Sequence, residues 1–174
     1  MGNISIKSNE DMAHVGSDIY APTRIELTAV GMDDLAADVT AVLVLDGRRY
    51  SVQELRITRR EDGPPITGEL IRRIPVKAII RGSVSDSAEL REPGREVTFA
   101  EFTRILEVDD PDAARRMVTG GPTDEMLLWV ARIYVMAELA GDPPAKAVKE
   151  NLDIPMPTAN NWIRRAKDRG ILDG

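Results

Sequence analysis

Amide and basic side chains recur in a short stretch near the C-terminus, between Met156 and Arg169. Asparagine can pair with adenine through two hydrogen bonds, arginine can do the same with guanine, and apolar side chains can touch the thymine methyl group. At helical spacing these residues would share one exposed face. We therefore predict five base-contacting residues: Met156, Pro157, Asn160, Asn161 and Arg164.

A second set of residues has the charge needed to hold the DNA backbone. Lysine and arginine near a reading helix contact phosphates and fix its register without reading sequence. The predicted phosphate contacts are Lys146, Lys149, Arg165, Lys167 and Arg169. The net charge of the whole chain is −6, so the prediction depends on a local basic stripe and not on a generally basic surface.

The elements that would position these residues are three helices in the last fifty residues. Thr123 is a suitable cap for the first helix, and Asp124 and Glu125 suit the positive end of its dipole. Its inner face is predicted to hold Leu127, Val130, Ala131, Tyr134 and Ala137. The second helix follows Pro143-Pro144 and runs to about Leu152, and the third carries the reading residues.

The apolar spacing across the second and third helices is that of a helix-turn-helix, which places one exposed helix in the DNA major groove. Its buried frame is predicted to be Val148, Leu152, Ile154, Ala159 and Trp162. Trp162 is interpreted as a core residue and not as a platform for stacking bases.

The segment WVARIYVMAELAGDPPAKAVKENLDIPMPTANNWIRRAKDRGIL resembles the C-terminal helix-turn-helix of uncharacterised actinobacterial and actinophage proteins. The matching residues are Val130-Ala131, Tyr134, Pro144, Thr158-Ala159, Trp162-Ile163, Ala166 and Gly170-Ile171-Leu172. The upstream stretch GRRYSVQELRITRREDGPPITGELIRRIP is similar to the N-terminal half of the same group. The chain departs from the pattern at Asp153, where glycine is usual, and at Pro155, where a capping serine is usual. Asp tolerates the left-handed conformation, so the corner is expected to survive.

The N-terminal part is predicted to form a small antiparallel sheet with short helices. Alternating apolar residues indicate a strand at Arg24 to Val30, and β-branched residues indicate one at Val39 to Leu45. After the Asp46-Gly47 turn, apolar residues indicate a return strand at Arg49 to Arg59 with a bulge near Gln53. A short edge strand is expected around Ile4 to Ile6, with loop from there to Ala21. Two short helices should break at Ile74-Pro75, with a polar loop from Ser83 to Arg95.

The predicted fold class is therefore α+β, with an N-terminal domain at residues 1–121 and a trihelical helix-turn-helix at residues 122–174. Gly120-Gly121-Pro122 is the predicted hinge. Before it, Thr98 to Glu101 has the spacing of a capping box that would open a helix, and another short helix is expected from Pro111 to Val118.

Composition excludes several kinds of site. The chain has no cysteine and one histidine, so disulfides and structural zinc are excluded. Acidic residues at Asp109 to Asp112 are interpreted as a helix cap and not as a metal site. With no glycine-rich phosphate loop and no activated nucleophile, we predict no catalytic residue, no enzyme activity, no metal and no cofactor.

The longest apolar run, Met126 to Ala131, is far shorter than the roughly 20 residues that span a bilayer. No signal peptide is recognisable in the first residues. We therefore expect a cytoplasmic protein that does not associate with membranes.

Together these features favour sequence-specific binding of double-stranded DNA in bacterial or phage transcription regulation. The N-terminal domain would form a homodimer or bind another partner. The alternative is a non-enzymatic adaptor whose three C-terminal helices bind a protein, in phage assembly or host takeover. The salt dependence of binding would separate the two, because phosphate contacts release counterions.

Overall fold

The computed structural model describes residues 3–32, 37–92, 95–98 and 119–173, and nothing is said below of the side chains of residues 95–97. Antiparallel sheets in the N-terminal part are followed by a cluster of three helices, so the predicted α+β fold class is confirmed. The strands of these ranges are β1 (Asn3–Ser8), β2 (Met12–Gly16), β3 (Ile19–Pro22), β4 (Arg24–Val30), β5 (Ala37–Asp46), β6 (Arg49–Arg59), β7 (Glu89–Glu92) and β8 (Arg95–Thr98).

The first sheet has the order β1-β4-β5-β6, and all of its pairs are antiparallel. Its strands follow the alternating apolar pattern, with Ile25, Leu27 and Leu43 buried. Gly47 has a φ of 59° in the β5–β6 turn, a conformation that glycine adopts without steric cost. The predicted bulge is confirmed, because Val42 pairs with Glu54 and Leu43 with Val52, which leaves Gln53 without an opposite residue.

The second sheet, with the order β2-β3-β7-β8, was missed by the sequence analysis. The loop predicted up to Ala21 contains β2 and β3, joined by Ser17 and Asp18, which have φ of 52° and 63°. The loop predicted from Ser83 to Arg95 is also wrong: it holds the end of a helix and β7. These strands have only four or five residues each, so their pattern is too brief to separate strand from loop.

The two N-terminal helices are α1 (Gly68–Arg73) and α2 (Val76–Ser87), and they break at Ile74-Pro75 as predicted. Thr67 caps α1 by accepting a hydrogen bond from the backbone N–H of Leu70. The C-terminal helices are α3 (Asp124–Leu139), α4 (Pro144–Leu152) and α5 (Met156–Asp168). Thr123 caps α3 as predicted, with its hydroxyl accepting from the N–H of Met126.

Helix α3 is buried on more faces than its predicted inner face. Of the predicted residues Leu127, Val130, Ala131 and Ala137 are buried, whereas Tyr134 is half-buried. The additional buried residues are Met126, Arg132, Val135, Met136 and Leu139. They are covered because α3 packs against α4 and α5 and also against α2, β2 and β6.

One hydrophobic core therefore joins the sheets and the C-terminal helices, with Ile19 and Leu90 in the same buried cluster as Val130 and Ile163. Ion pairs cross the same junction: Arg132 on α3 lies 3.0 Å from Asp18 and 2.7 Å from Glu92. The boundary between residues 121 and 122 stays a prediction, but the parts on either side of it are packed together.

Several predictions fall outside the described residues. They are the helix expected after Thr98, the short helix from Pro111 to Val118, and the helix cap at Asp109 to Asp112. Thr98 itself ends β8. In the portions of the chain that the structure describes, no helix combines the length and apolar character that a membrane span requires.

Candidate nucleic-acid interface

The two helices of the candidate interface, α4 and α5, meet at a three-residue corner, Asp153 to Pro155. The backbone of Asp153 is left-handed, with φ 50° and ψ 47°, which confirms that aspartate is tolerated at this corner. Helix α5 then begins with no side-chain cap, since its N-cap residue is Pro155, whose side chain has no hydrogen-bond acceptor. Its first backbone bond runs from the N–H of Ala159 to the carbonyl of Pro155, at 3.0 Å.

The predicted apolar frame holds this corner in place. Val148, Leu152, Ile154, Ala159 and Trp162 are all buried, and so are the neighbouring Ile163 and Ala166. Ala159 is fully buried in the core cluster that α4 and α5 share. Trp162 is 7% exposed, so its interpretation as a core residue is confirmed.

The frame leaves the five predicted base-contacting residues on the outer side of α5. Met156, Pro157, Asn160, Asn161 and Arg164 are all exposed. Asn160 and Arg164 lie four residues apart, which is about one helical turn, so their side chains leave the same face. Neither has a side-chain hydrogen bond or ion pair with the described part of the protein, and their polar groups are therefore free to meet a ligand.

The predicted phosphate-contacting residues are all exposed, but they differ in their partners. Lys149 and Arg165 have no ion pair within the described ranges, whereas Lys146 lies 3.6 Å from Glu150 on the same helix. Lys167 lies over the ring of Tyr134, with 5.2 Å between its ammonium and the ring centre. Arg169 is paired with Asp124.

These contacts divide four of the basic residues into two groups, while Lys146 is paired with Glu150 within α4. Arg169 and Lys167 are directed back to α3, where they help to hold the end of α5. Lys149 and Arg165 present their charge to solvent without such a role. The assignment of all five to phosphate contacts stays a prediction.

Two further basic residues reach this region from α2 and were not singled out by the sequence analysis. Lys77 and Arg81 line a groove of about 480 Å³ together with Lys146 and Asn151 of α4. Both bind the Asp142 carboxylate in the α3–α4 turn, Lys77 at 2.9 Å and Arg81 at 2.8 Å. Arg81 and Asp142 are 61 positions apart in the chain, so no local sequence pattern could reveal that they meet.

The Asp142 carboxylate is ionised over a wider pH range than an ordinary aspartate. Burial raises its pKa, but the hydrogen bonds and charges of Lys77 and Arg81 lower the pKa more strongly, so it lies below the usual value. Both cations keep more than half of their side-chain surface exposed, so each retains donors for a second anion. They extend the basic surface beside α4.

Among the residues that the structure describes, no three histidine or acidic side chains are grouped in a way that suits a metal ion. The absence of a metal and of a cofactor stays an expectation. The side chains of Asn160, Asn161 and Arg164 expose amide and guanidinium donors and amide acceptors that can form hydrogen bonds with a ligand.

Comparisons with protein-family models, with curated proteins and with solved structures find no match to this chain.

Proposed function

We propose that this protein is a sequence-specific DNA-binding protein that regulates transcription in a bacterium or a phage, and that α5 reads the major groove. The observation that carries the proposal is the outer face of α5, beside a corner of helix-turn-helix type. There Asn160, Asn161 and Arg164 are exposed and have no side-chain partner among the residues that the structure describes. A folded helix that leaves several strong donors unpaired on one face offers them to a ligand.

The charges beside α5 support the same function. Lys149 and Arg165 are free to hold phosphates, and Lys77 and Arg81 add cations next to α4. No catalytic step is proposed. A DNA-binding role implies a location in the cytoplasm, where bacterial and phage DNA is transcribed, and the N-terminal part is proposed to form a homodimer.

The test is binding to labelled duplexes, with a preferred sequence first selected from random duplexes. Arg164→Ala and Asn160→Ala should each weaken binding to the preferred sequence by about 1 to 3 kcal/mol, because each removes a base contact. Both should have little effect on random DNA. Lys146→Ala should weaken binding to every sequence alike and reduce the salt slope by about one unit.

Arg72→Ala is the matched control, because Arg72 is an exposed arginine on α1 and outside the interface. It should leave affinity unchanged. The proposal fails if Arg164→Ala and Asn160→Ala bind every duplex as the native protein does while circular dichroism shows unchanged helix content. An adaptor that binds another protein through these helices then becomes the better explanation, particularly if that binding resists salt.

A further inference from the structure

Strand β6 forms one edge of the first sheet. It pairs with β5 on one side, and on its other side it meets no strand in the ranges that the structure describes. From Gln53 to Arg56 every residue is exposed. An edge strand offers a row of unpaired backbone donors and acceptors, which can pair with a strand of another chain.

The apolar side of this edge is incompletely covered. Leu55 and Ile57 lie opposite Ala41 and Val39 of β5, so the four side chains share one face of the sheet. Ala41 and Val39 are each 1% exposed, whereas Leu55 is 36% exposed and Ile57 only half-buried. The burial of this face thus stops at β6. One more strand beside β6 would cover the exposed parts of Leu55 and Ile57.

The charged side chains on the opposite face of β6 indicate which strand can pair with its free edge. Glu54 and Arg56 flank Leu55 and lie on the outer face, 3.0 Å apart and with side chains 53% and 70% exposed. If a second β6 pairs antiparallel with Leu55 opposite Leu55, each Glu54 lies opposite the Arg56 of the other copy. Opposite charges in directly opposed positions stabilise a strand pair, and like charges destabilise it.

Neighbouring registers lack this match. A shift of the pairing that centres it on Arg56 places two arginines opposite each other, and one centred on Glu54 places two glutamates there. The other edge of the sheet, β1, has Lys7 as its only charged residue, so symmetric pairing there brings no opposite charges together. Charged residues usually protect an edge from pairing, but here their order is self-complementary.

We propose that two copies of this chain associate through β6, centred on Leu55, and so join their first sheets into one continuous antiparallel sheet. The association is two-fold symmetric, as in most homodimers. With respect to DNA, the inference rests on the proposed function: the two copies of α5 are then related by the same axis, and the preferred DNA sequence is an inverted repeat.

Charge reversal tests the interface without DNA. Glu54→Arg and Arg56→Glu each place like charges at both contacts and should weaken dimerisation roughly tenfold or more, as measured by sedimentation equilibrium. A 1:1 mixture of the two variants restores both opposite-charge contacts, so it should form a heterodimer of about native strength. Mixing restores the opposite-charge contacts between the copies but not the Glu54–Arg56 pair inside each copy. Rescue therefore shows that the contact between the copies, and not the internal pair, stabilises the dimer.

Lys7→Glu on β1 is the control, since the same kind of charge reversal at the other edge should leave dimerisation unchanged. Because these side chains are exposed, all variants should keep the native circular dichroism spectrum. The proposal is overturned if the native protein is monomeric at its highest soluble concentration, if the single variants dimerise as well as the native protein, or if the mixture fails to associate. None of these outcomes depends on DNA, so the proposed β6 interface and the proposed DNA binding by α5 fail separately.

Discussion

At the scale of single residues, Asp153 determines the direction in which α5 leaves α4. Its left-handed backbone allows the N–H of Ile154 to bond to the carbonyl of Lys149, at 3.1 Å, which closes the end of α4. A residue with a branched Cβ in this conformation brings its side chain against the backbone, while aspartate and asparagine tolerate it.

Replacing Asp153 by valine should therefore lower the free energy of unfolding by about 1 to 2 kcal/mol. Asp153→Asn is the matched control and should have almost the native stability, because asparagine is tolerated in the same conformation. Urea denaturation at neutral pH measures both variants. Equal stability of the valine and asparagine variants would contradict the left-handed corner.

At the scale of elements, the position of α2 relative to the helix-turn-helix depends on Asp142. Its carboxylate binds Lys77 and Arg81 across the groove between α2 and α4. Since the pKa of Asp142 is lowered in the folded protein, ionised Asp142 stabilises the fold. This contribution is complete above the unfolded-state pKa of about 3.9 and is lost as pH falls through the lowered pKa.

Asp142→Asn should therefore reduce stability at pH 7, by about 1 kcal/mol or less because the two cations are largely exposed. The difference from the native protein should shrink as the pH is lowered below the ordinary aspartate pKa, since the native carboxyl is then also neutral. Urea denaturation of both proteins at a series of pH values measures it. The control is Asp86→Asn, at an exposed position of α2, which should show no such change with pH. If the stability difference between Asp142→Asn and the native protein stays constant across pH, ionised Asp142 does not stabilise the fold in this way.

Elements with a long and regular apolar pattern could be predicted from the sequence, and elements that depend on partners could not. Strands β4 and β6 were found from the alternation of their apolar residues, and β5 from its run of β-branched and other apolar residues. The buried frame of α4 and α5 was found because its spacing is specific. Strands β2, β3 and β7 have only four or five residues each. Strand β3 pairs with the distant β7, as Ile19 does with Leu90, and β2 pairs with β3. This pairing, and not a local pattern, makes them strands.

The exposed residues of α5 were likewise predictable, because exposure there follows from helical period. The partners of the basic residues were not. The pairing of Arg169 with Asp124, and of Lys77 and Arg81 with Asp142, is created by the folding of separate parts of the chain. The deep burial of Arg132 was missed for the same reason, since its acidic partners come from the second sheet.

At the scale of the whole molecule, the packing of α3 decides whether the sheets and the helix-turn-helix unfold together. A Cβ at Gly16 on β2 would lie 3.8 Å from the Val135 side chain, and Arg132 is 3% exposed between Asp18 and Glu92. Arg48 in the β5–β6 turn donates to the carbonyl of Asp173 at 2.9 Å. Loss of the sheets would therefore expose apolar surface of α3 to water and break the ion pairs of Arg132, which costs several kcal/mol.

We therefore expect one cooperative thermal transition, although the Gly120-Gly121-Pro122 segment suggests a hinge. Both tryptophans of the chain, Trp129 and Trp162, lie in the C-terminal helices, so their fluorescence reports the environment of these helices. The infrared band of β-structure reports the sheets. The two signals should share one midpoint, as required of a two-state transition. If the tryptophan signal is lost while the sheet band persists, the C-terminal helices form an independent unit, and the contacts of Arg132 and Val135 do not couple it to the sheets.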